Sequence, residues 1–351
     1  MRKNLLFLLV TALLAFVLVA CGTESEDESS NGENDEGNAE NNESTEESKS
    51  VAVVLTDQIG VNPFFQQIAD GAEQAAEETG LEINVIESSD PTETQQNLEV
   101  AVAEGYDLIL TATFDAVDPL TTVAEANPDR DFAIIDAIVD LPNVKSAEFK
   151  EYEASFLLGA AAGLATETDT VGIIPAQDIA LLDKYIVGFQ EGVAQVNENA
   201  EVLVNYVGSF EDPAKAKEIA LQQNSNGADF IAAAAAVSDL GVFEAAAEAG
   251  FYTSGQDIDR TVEDPEHVVL SQLKNTDVVA YDFVKEYGNG EFSTGVQSFG
   301  LAEDGVGLTY VTADSESPLN DFIGQDTIDQ VIEIKDQIIS GEIEVKNPLE
   351  Q

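Results

Sequence analysis

Short β-rich apolar runs alternate with segments of helical spacing twice over in this chain, and that rhythm leaves few folds open. Residues 51–55 (VAVVL) read as a strand and 62–78 as a helix. Strand and helix follow at 83–86 and 92–104, then at 108–113 and 117–126, with another strand at 132–136. A long helix over 154–165 intervenes, where Leu157-Leu158-Gly159-Ala160 permits close packing. The rhythm then restarts, with strands at 171–174, 202–207, 230–236, 252–255 and 268–273 and helices at 181–196, 214–223, 242–249 and 278–287. Strands alternating with helices of this length make βαβ units and parallel sheets. Two such runs, separated near residue 150, predict an α/β fold of two doubly wound parallel-sheet lobes joined by a hinge. The expected lobes are 51–149 plus about 275–305, and 150–274 plus about 306–345.

The rhythm has a different prelude. Met1-Arg2-Lys3 is basic, and residues 5–20 are apolar apart from Thr11. That is short for a bilayer span but fits a secretory leader. It ends in Leu18-Val19-Ala20-Cys21-Gly22, and Cys21 is the only cysteine. A single thiol directly after an apolar leader predicts removal of residues 1–20 and lipidation of Cys21, with attachment to the outer face of the cell membrane. It also rules out an internal disulfide. Residues 22–50 are almost all Glu, Asp, Ser, Asn and Gly, the composition of a disordered acidic tether.

Net charge is −54. No basic patch exists to meet phosphates, so nucleic acid is excluded as a partner. So large a charge repels itself at low ionic strength and points to a salt-tolerant or alkaliphilic source.

Ligands in doubly wound folds sit beyond the carboxyl ends of the strands. The strand-to-helix loops there span residues 56–63, 114–118, 175–178, 208–213, 237–241 and 256–260. They carry Asp57, Asn62, Phe114, Asp115, Phe210, Asp239, Asp257 and Asp259, with Phe64 and Phe65 directly after the first loop; Gln272 lies at the end of the strand at 268–273 and Lys274 just beyond it. Carboxylates accept from paired hydroxyls, and aromatic faces take sugar rings or bases. Each residue also has a plainer use. One of Phe64 and Phe65 can pack inward while the other faces the cleft. Asp115 and Asp239 suit helix capping, as Asp212 does. Asp257 and Asp259 suit turns, and Lys274 suits an exposed surface.

Other chemistry is thinly represented. The single histidine, His267, lies in a polar turn. No phosphate-binding G-x-x-x-x-G-K-[ST] loop is present, no G-x-G-x-x-G follows the first strand, and no EF-hand spacing occurs. No cofactor, metal or enzymatic activity is therefore expected.

Several stretches resemble the BMP (basic membrane protein) family of ABC-transporter substrate-binding proteins, which have the periplasmic-binding protein type I fold. They are EFKEYEASFLLGAAAGLAT (148–166), GSFEDPAKAKE (208–218), SGQDID (254–259), LSQLKN (270–275) and GEIEV (341–345). The resemblance implies a receptor that binds a nucleoside, with purine nucleosides favoured, and presents it to a membrane permease; a monomer is expected. It singles out Asp57, Phe65, Asp115, Phe210, Asp239, Asp257 and Lys274 as contacts, with Phe65 and Phe210 stacking on the ligand. The opening NPFFQQIADGA (62–72) is instead similar to ribose-type sugar binders, whose pattern implies contacts from Asn62, Phe64, Phe65, Asp115, Phe210, Asp239, Asp257 and Gln272. Those binders usually place an Arg before the Gly-Phe pair that is Gly188-Phe189 here. This chain has Lys184 and no Arg, which favours the nucleoside. A sugar or autoinducer-like ligand, or a sensor role beside a signalling partner, is the alternative.

Overall fold

The computed structural model describes residues 49–60 and 62–350, so the leader, Cys21 and nearly all of the acidic segment fall outside the described residues. The first sheet contains β1 (Ser50–Leu55), β2 (Glu82–Glu87), β3 (Leu108–Ala112), β4 (Asp131–Ile135), β5 (Val144–Phe149) and β11 (Gly295–Phe299), in the order β11-β5-β4-β3-β1-β2. All its pairings are parallel. The second contains β6 (Thr170–Pro175), β7 (Glu201–Val204), β8 (Phe230–Ala234), β9 (Tyr252–Asp257), β10 (Val268–Lys274) and β12 (Val306–Leu308), in the order β12-β10-β9-β8-β6-β7. Only β12 runs antiparallel, against β10.

Helices α1 (Pro63–Thr79), α2 (Pro91–Glu104), α3 (Val117–Ala126) and α8 (Thr276–Asn289) accompany the first sheet. Helices α4 (Glu151–Ala165), α5 (Ala180–Val196), α6 (Pro213–Ser225), α7 (Asp239–Ala249) and α9 (Gly324–Ser340) accompany the second. The chain passes between the sheets three times: after Phe149, after Lys274 and after Phe299.

The central strands are buried and apolar because helices cover both faces. Helix α4 is buried nearly all round, as its LLGAAAGLA composition demands. It packs against α5, where a Cβ on Gly159 would lie 2.1 Å from the carbonyl oxygen of Phe189. The close packing expected of this stretch is therefore backbone against backbone.

Helices α1, α2 and α6 begin alike. Asn62, Asp90 and Asp212 cap them with side-chain oxygens, and Pro63, Pro91 and Pro213 occupy the first turn, where a missing N–H costs nothing.

Several boundaries differ from expectation. Helix α4 starts at Glu151, three residues before Ala154, and β9 runs on to Asp257. β7 stops at Val204. Strand β5 (VKSAEF) has no apolar run to betray it. It is nevertheless buried, because Lys145 finds Glu286 as an ion-pair partner beneath the rings of Phe283 and Phe292. His267 is partly buried and bonds Asp264 at 2.9 Å.

Candidate ligand cleft

The carboxyl ends of β1, β3, β4, β8, β9 and β10 converge on one cavity of about 290 Å³. It draws residues from both sheets, as the switch-point rule for such folds requires. Asp57, Asn62, Phe64, Phe65, Phe114, Asp115, Phe210, Asp257 and Lys274 all line it. Asp239 and Gln272 do not.

Strain gathers at this cavity. Thr113, Asp136, Ala236 and Asp257 each follow or end a strand, each has positive φ (74°, 66°, 53° and 69°), and each lines the cavity. Non-glycine residues pay for that conformation, and in proteins it concentrates at ligand clamps.

The aromatic residues fall into two groups. Phe64 and Phe65 meet edge to face, with centroids 5.2 Å apart. Both are buried, both belong to the core and both line the cavity, so neither ring is assigned to one task alone. Asn62 holds the helix mouth in place, its Oδ1 accepting from the Phe64 N–H at 3.1 Å. Across the cavity, the ring that faces Phe210 is Phe114, not Phe65. Their centroids are 6.5 Å apart, with 36° between planes. Phe114 is 41% exposed, an unusual state for a phenylalanine unless something covers it. Phe210 is held by its own backbone, whose carbonyl accepts from Ser238 N–H at 3.0 Å.

The polar lining is acidic. Asp57 and Asp115 lie close together: partial desolvation raises the Asp115 pKa, and Asp57 adds to the rise. Asp90 reaches the cavity while capping α2. Asp257 is buried. Burial pushes its pKa up to about 6, while Lys274 and Arg260 pull in the opposite direction. Among the described residues no hydrogen bond reaches its carboxylate, and the neighbouring Gln256 has a buried Oε1 without a partner. Both are available to a ligand.

Among the described residues Lys274 is the one cation in the lining and, far from an exposed surface lysine, is 4% exposed. Its Nζ lies 2.7 Å from Asp136 Oδ1 and 2.9 Å from Glu151 Oε1. Burial disfavours its charge, but these carboxylates overcome that and raise its pKa well above the usual lysine range. Asp136 answers from β4 of the other sheet, and desolvation pushes its carboxyl up to about 7 against the pull of Lys274. Sequence reading passed over Asp136, Glu151, Tyr185 and Gln256. An acid at the end of a predicted apolar strand, Asp136, was the available signal.

Asp239 stands outside the lining. It is 1% exposed and lies behind the lining, where Oδ1 accepts from Ala235 N–H at 2.8 Å and Oδ2 has no partner. Burial raises its pKa to about 8. It braces the β8 end of the cleft from within. Gln272 likewise points away, its amide 3.5 Å from the Glu151 carbonyl. The capping proposed for Asp115 is not made, as no side-chain bond caps that helix, whereas Asp212 caps α6 and Asp259 makes a turn with Thr261. No group of His, Cys, Asp and Glu suited to a metal occurs among the described residues, and no helix there is long and apolar enough to cross a membrane.

Comparison with known proteins agrees with this architecture. Residues 48–348 match the family model Bmp, described as ABC transporter substrate-binding protein PnrA-like. A CD4+ T-cell-stimulating antigen of Listeria innocua is 30% identical over 372 residues, covering 98% of this chain and 99% of the relative. The ABC transporter nucleoside-binding protein BmpA of Lactococcus lactis subsp. cremoris is 27% identical over 370 residues, with 98% and 99% covered. Among solved structures, an ABC transporter solute-binding protein from Aeropyrum pernix K1 superposes with a TM-score of 0.75 at 28% identity, covering 86% of this chain and 94% of that one. The chain belongs to the Bmp family of PnrA-like ABC transporter substrate-binding proteins, with the two-sheet α/β architecture of the periplasmic-binding protein type I fold.

Proposed function

We propose that this chain binds a nucleoside, with a purine nucleoside favoured, in the cavity between its sheets and delivers it to an ABC permease. The observation that carries the reading is the Phe114–Phe210 pair. A flat ring held between two faces needs about 3.5 Å on each side, hence about 7 Å between the outer rings. The pair stands at 6.5 Å, so a slight opening and levelling admits a base. Asp257 and Gln256, lacking protein partners, then accept from and donate to the ligand's hydroxyls and polar edge. The relative named as nucleoside-binding supports the same class.

The charge of the lining narrows the class. Asp57, Asp90, Asp115, Asp136 and Asp257 face the cavity, against Lys274 alone, which two carboxylates already hold. A phosphorylated ligand meets repulsion that a neutral nucleoside escapes. The three chain passages serve as a hinge between the lobes 51–149 plus about 275–305 and 150–274 plus about 306–345. Closure is driven only by contacts the ligand makes to both. Cys21, lipidated, anchors a monomer to the outer face of the membrane.

A pentose is the second reading, favoured by the placement of both Phe64 and Phe65 in the lining. Calorimetric titration in high salt with inosine, guanosine, ribose and inosine monophosphate separates them. The nucleoside reading expects inosine or guanosine to bind tightest and the monophosphate at least about a hundredfold more weakly than inosine. Ribose binding without nucleoside binding overturns it.

A further inference from the structure

Behind the cavity lies a buried side chain that binds two cations at once. Glu151 opens α4, two residues after the chain leaves β5 of the first sheet, and is fully buried. Its Oε2 is 3.0 Å from Lys184 Nζ, and its Oε1 is 2.9 Å from Lys274 Nζ. Lys184, from α5, also donates to the Phe149 carbonyl at 2.9 Å. Lys274 donates to Asp136 at 2.7 Å. Two carboxylates and two ammoniums thus form a chain, Asp136–Lys274–Glu151–Lys184, with no net charge. Asp136 and Lys274 line the cavity; Glu151 and Lys184 do not.

The two bridges of Glu151 are unequal in consequence. Burial opposes its charge, yet Lys274 and Lys184 together hold its pKa at about 2, so it remains ionised throughout the physiological range. Lys274 is a point charge on a flexible stem. Lys274 hydrogen-bonds Asp136, whereas Glu151 Oε1 holds it by charge at 2.9 Å without an aligned hydrogen bond. The rings of Phe149, Phe64 and Tyr185, at 5.2, 5.5 and 5.9 Å, surround its approach. The two carboxylates fix the place of the ammonium, and Lys274 and Asp136 are the members of this chain that open onto the ligand space.

We propose that Glu151 is the positioning residue of the ligand cleft: by bridging Lys184 and Lys274 it sets the place at which Lys274 presents its ammonium to the ligand. This rests on the reading of the cavity as a ligand site. It asks nothing of Glu151 as a ligand contact, since the side chain never reaches the cavity. Lys184 is the anchor that keeps Glu151 from following Lys274 into the cleft.

The test must separate positioning from mere support. Glu151→Gln alone strands Lys184, so the informative variant is Glu151→Gln with Lys184→Met, which removes one charge of each sign and leaves the Asp136–Lys274 pair intact. Two readouts are taken on the full chain. The first is proton exchange of the Lys274 ammonium in the ligand-free protein, followed by 15N-lysine spectra and assigned by loss of the signal in Lys274→Met. The second is inosine affinity by calorimetry. The double variant is expected to melt close to wild type, to exchange the Lys274 ammonium at least about tenfold faster and to bind inosine at least about tenfold more weakly. A folded double variant with exchange or affinity within about twofold of wild type overturns the proposal. If the double variant does not fold, Glu151→Asp retains the charge but is one methylene too short to span both lysines; unchanged Lys274 exchange there overturns the proposal equally. Should wild type bind no inosine, the nucleoside reading fails by itself, and ammonium exchange still decides the role of Glu151.

Discussion

Phe114 and Phe210 extend from different sheets and face each other across the cleft at 6.5 Å, tilted by 36°. They are the two rings whose spacing a ligand must change. Replacing Phe210 by Ala is expected to weaken inosine binding by about 10- to 100-fold, since stacking on one ring is worth about 1–3 kcal/mol. Phe114→Ala is expected to do the same. Because Phe114 is already 41% exposed, its loss leaves the ligand-free melting temperature nearly unchanged. Calorimetry and melting on both variants check this; a large loss of ligand-free stability with unchanged affinity would place the rings in the core instead.

The carboxylate of Asp257 gives binding a pH dependence. Burial raises its pKa to about 6 in the ligand-free protein. The ionised form is the better acceptor, so affinity falls as pH drops below about 6, by up to about tenfold per unit. Titrations from pH 5 to 8 are expected to show this slope in wild type and a flat, weak response in Asp257→Asn. An equal slope in both proteins assigns the dependence to another group.

Asp239 gives the fold a pH dependence of its own. Its pKa rises from 3.8 in the ordinary state to about 8 in the folded one. The native chain therefore holds this proton more tightly than the unfolded chain, and stability is lost as pH rises between those limits. Each unit is worth up to about 1.4 kcal/mol. Asp136 and Asp257, with pKa values raised to about 7 and about 6, act in the same direction over narrower windows. Asp239→Asn is expected to melt near wild type at pH 5 and above it at pH 8. Parallel melting curves for the two proteins across that range contradict the assignment.

Salt is expected to stabilise the protein. Net charge is −54, and Lys145, Lys184, Arg260 and Lys274 are buried, so the surface is poorer in cations than the composition suggests. Between 0.1 and 1 M NaCl the Debye length shrinks from about 10 Å to about 3 Å. The melting temperature should climb over this range; indifference to salt would mean that the acids are too far apart to repel one another.

How legible these features were depended on what each residue has to show. Strands β1, β3, β6 and β8 are buried on both faces and are therefore written as apolar runs. β5 is equally buried but takes Lys145 and Ser146 inside, because Glu286 and the Val139 backbone receive them. Local pattern carries no trace of a partner 141 residues away. The edge strand β11 is largely exposed and had no reason to be apolar. In the cleft, Asp57, Asn62, Phe114 and Phe210 were readable because strand-to-helix loops display them. Asp239 lies at such a loop too, but its carboxylate turns to the Ala235 backbone instead of the cavity. Glu151 is hidden because the apolar spacing marks that helix only from Ala154, which leaves the acid in a connecting segment.

The threading of the chain between its sheets governs what a partly made chain can complete. A nascent chain that has reached Ala165 carries β1 to β5 but lacks β11, which completes the edge beside β5, and α8, which packs on α1. Those pieces emerge only with residues 276–299. Neither sheet can be finished before most of the polypeptide is present, and truncation between residues 150 and 294 leaves β5, buried in the whole protein, as an unpaired parallel edge ready to join another molecule.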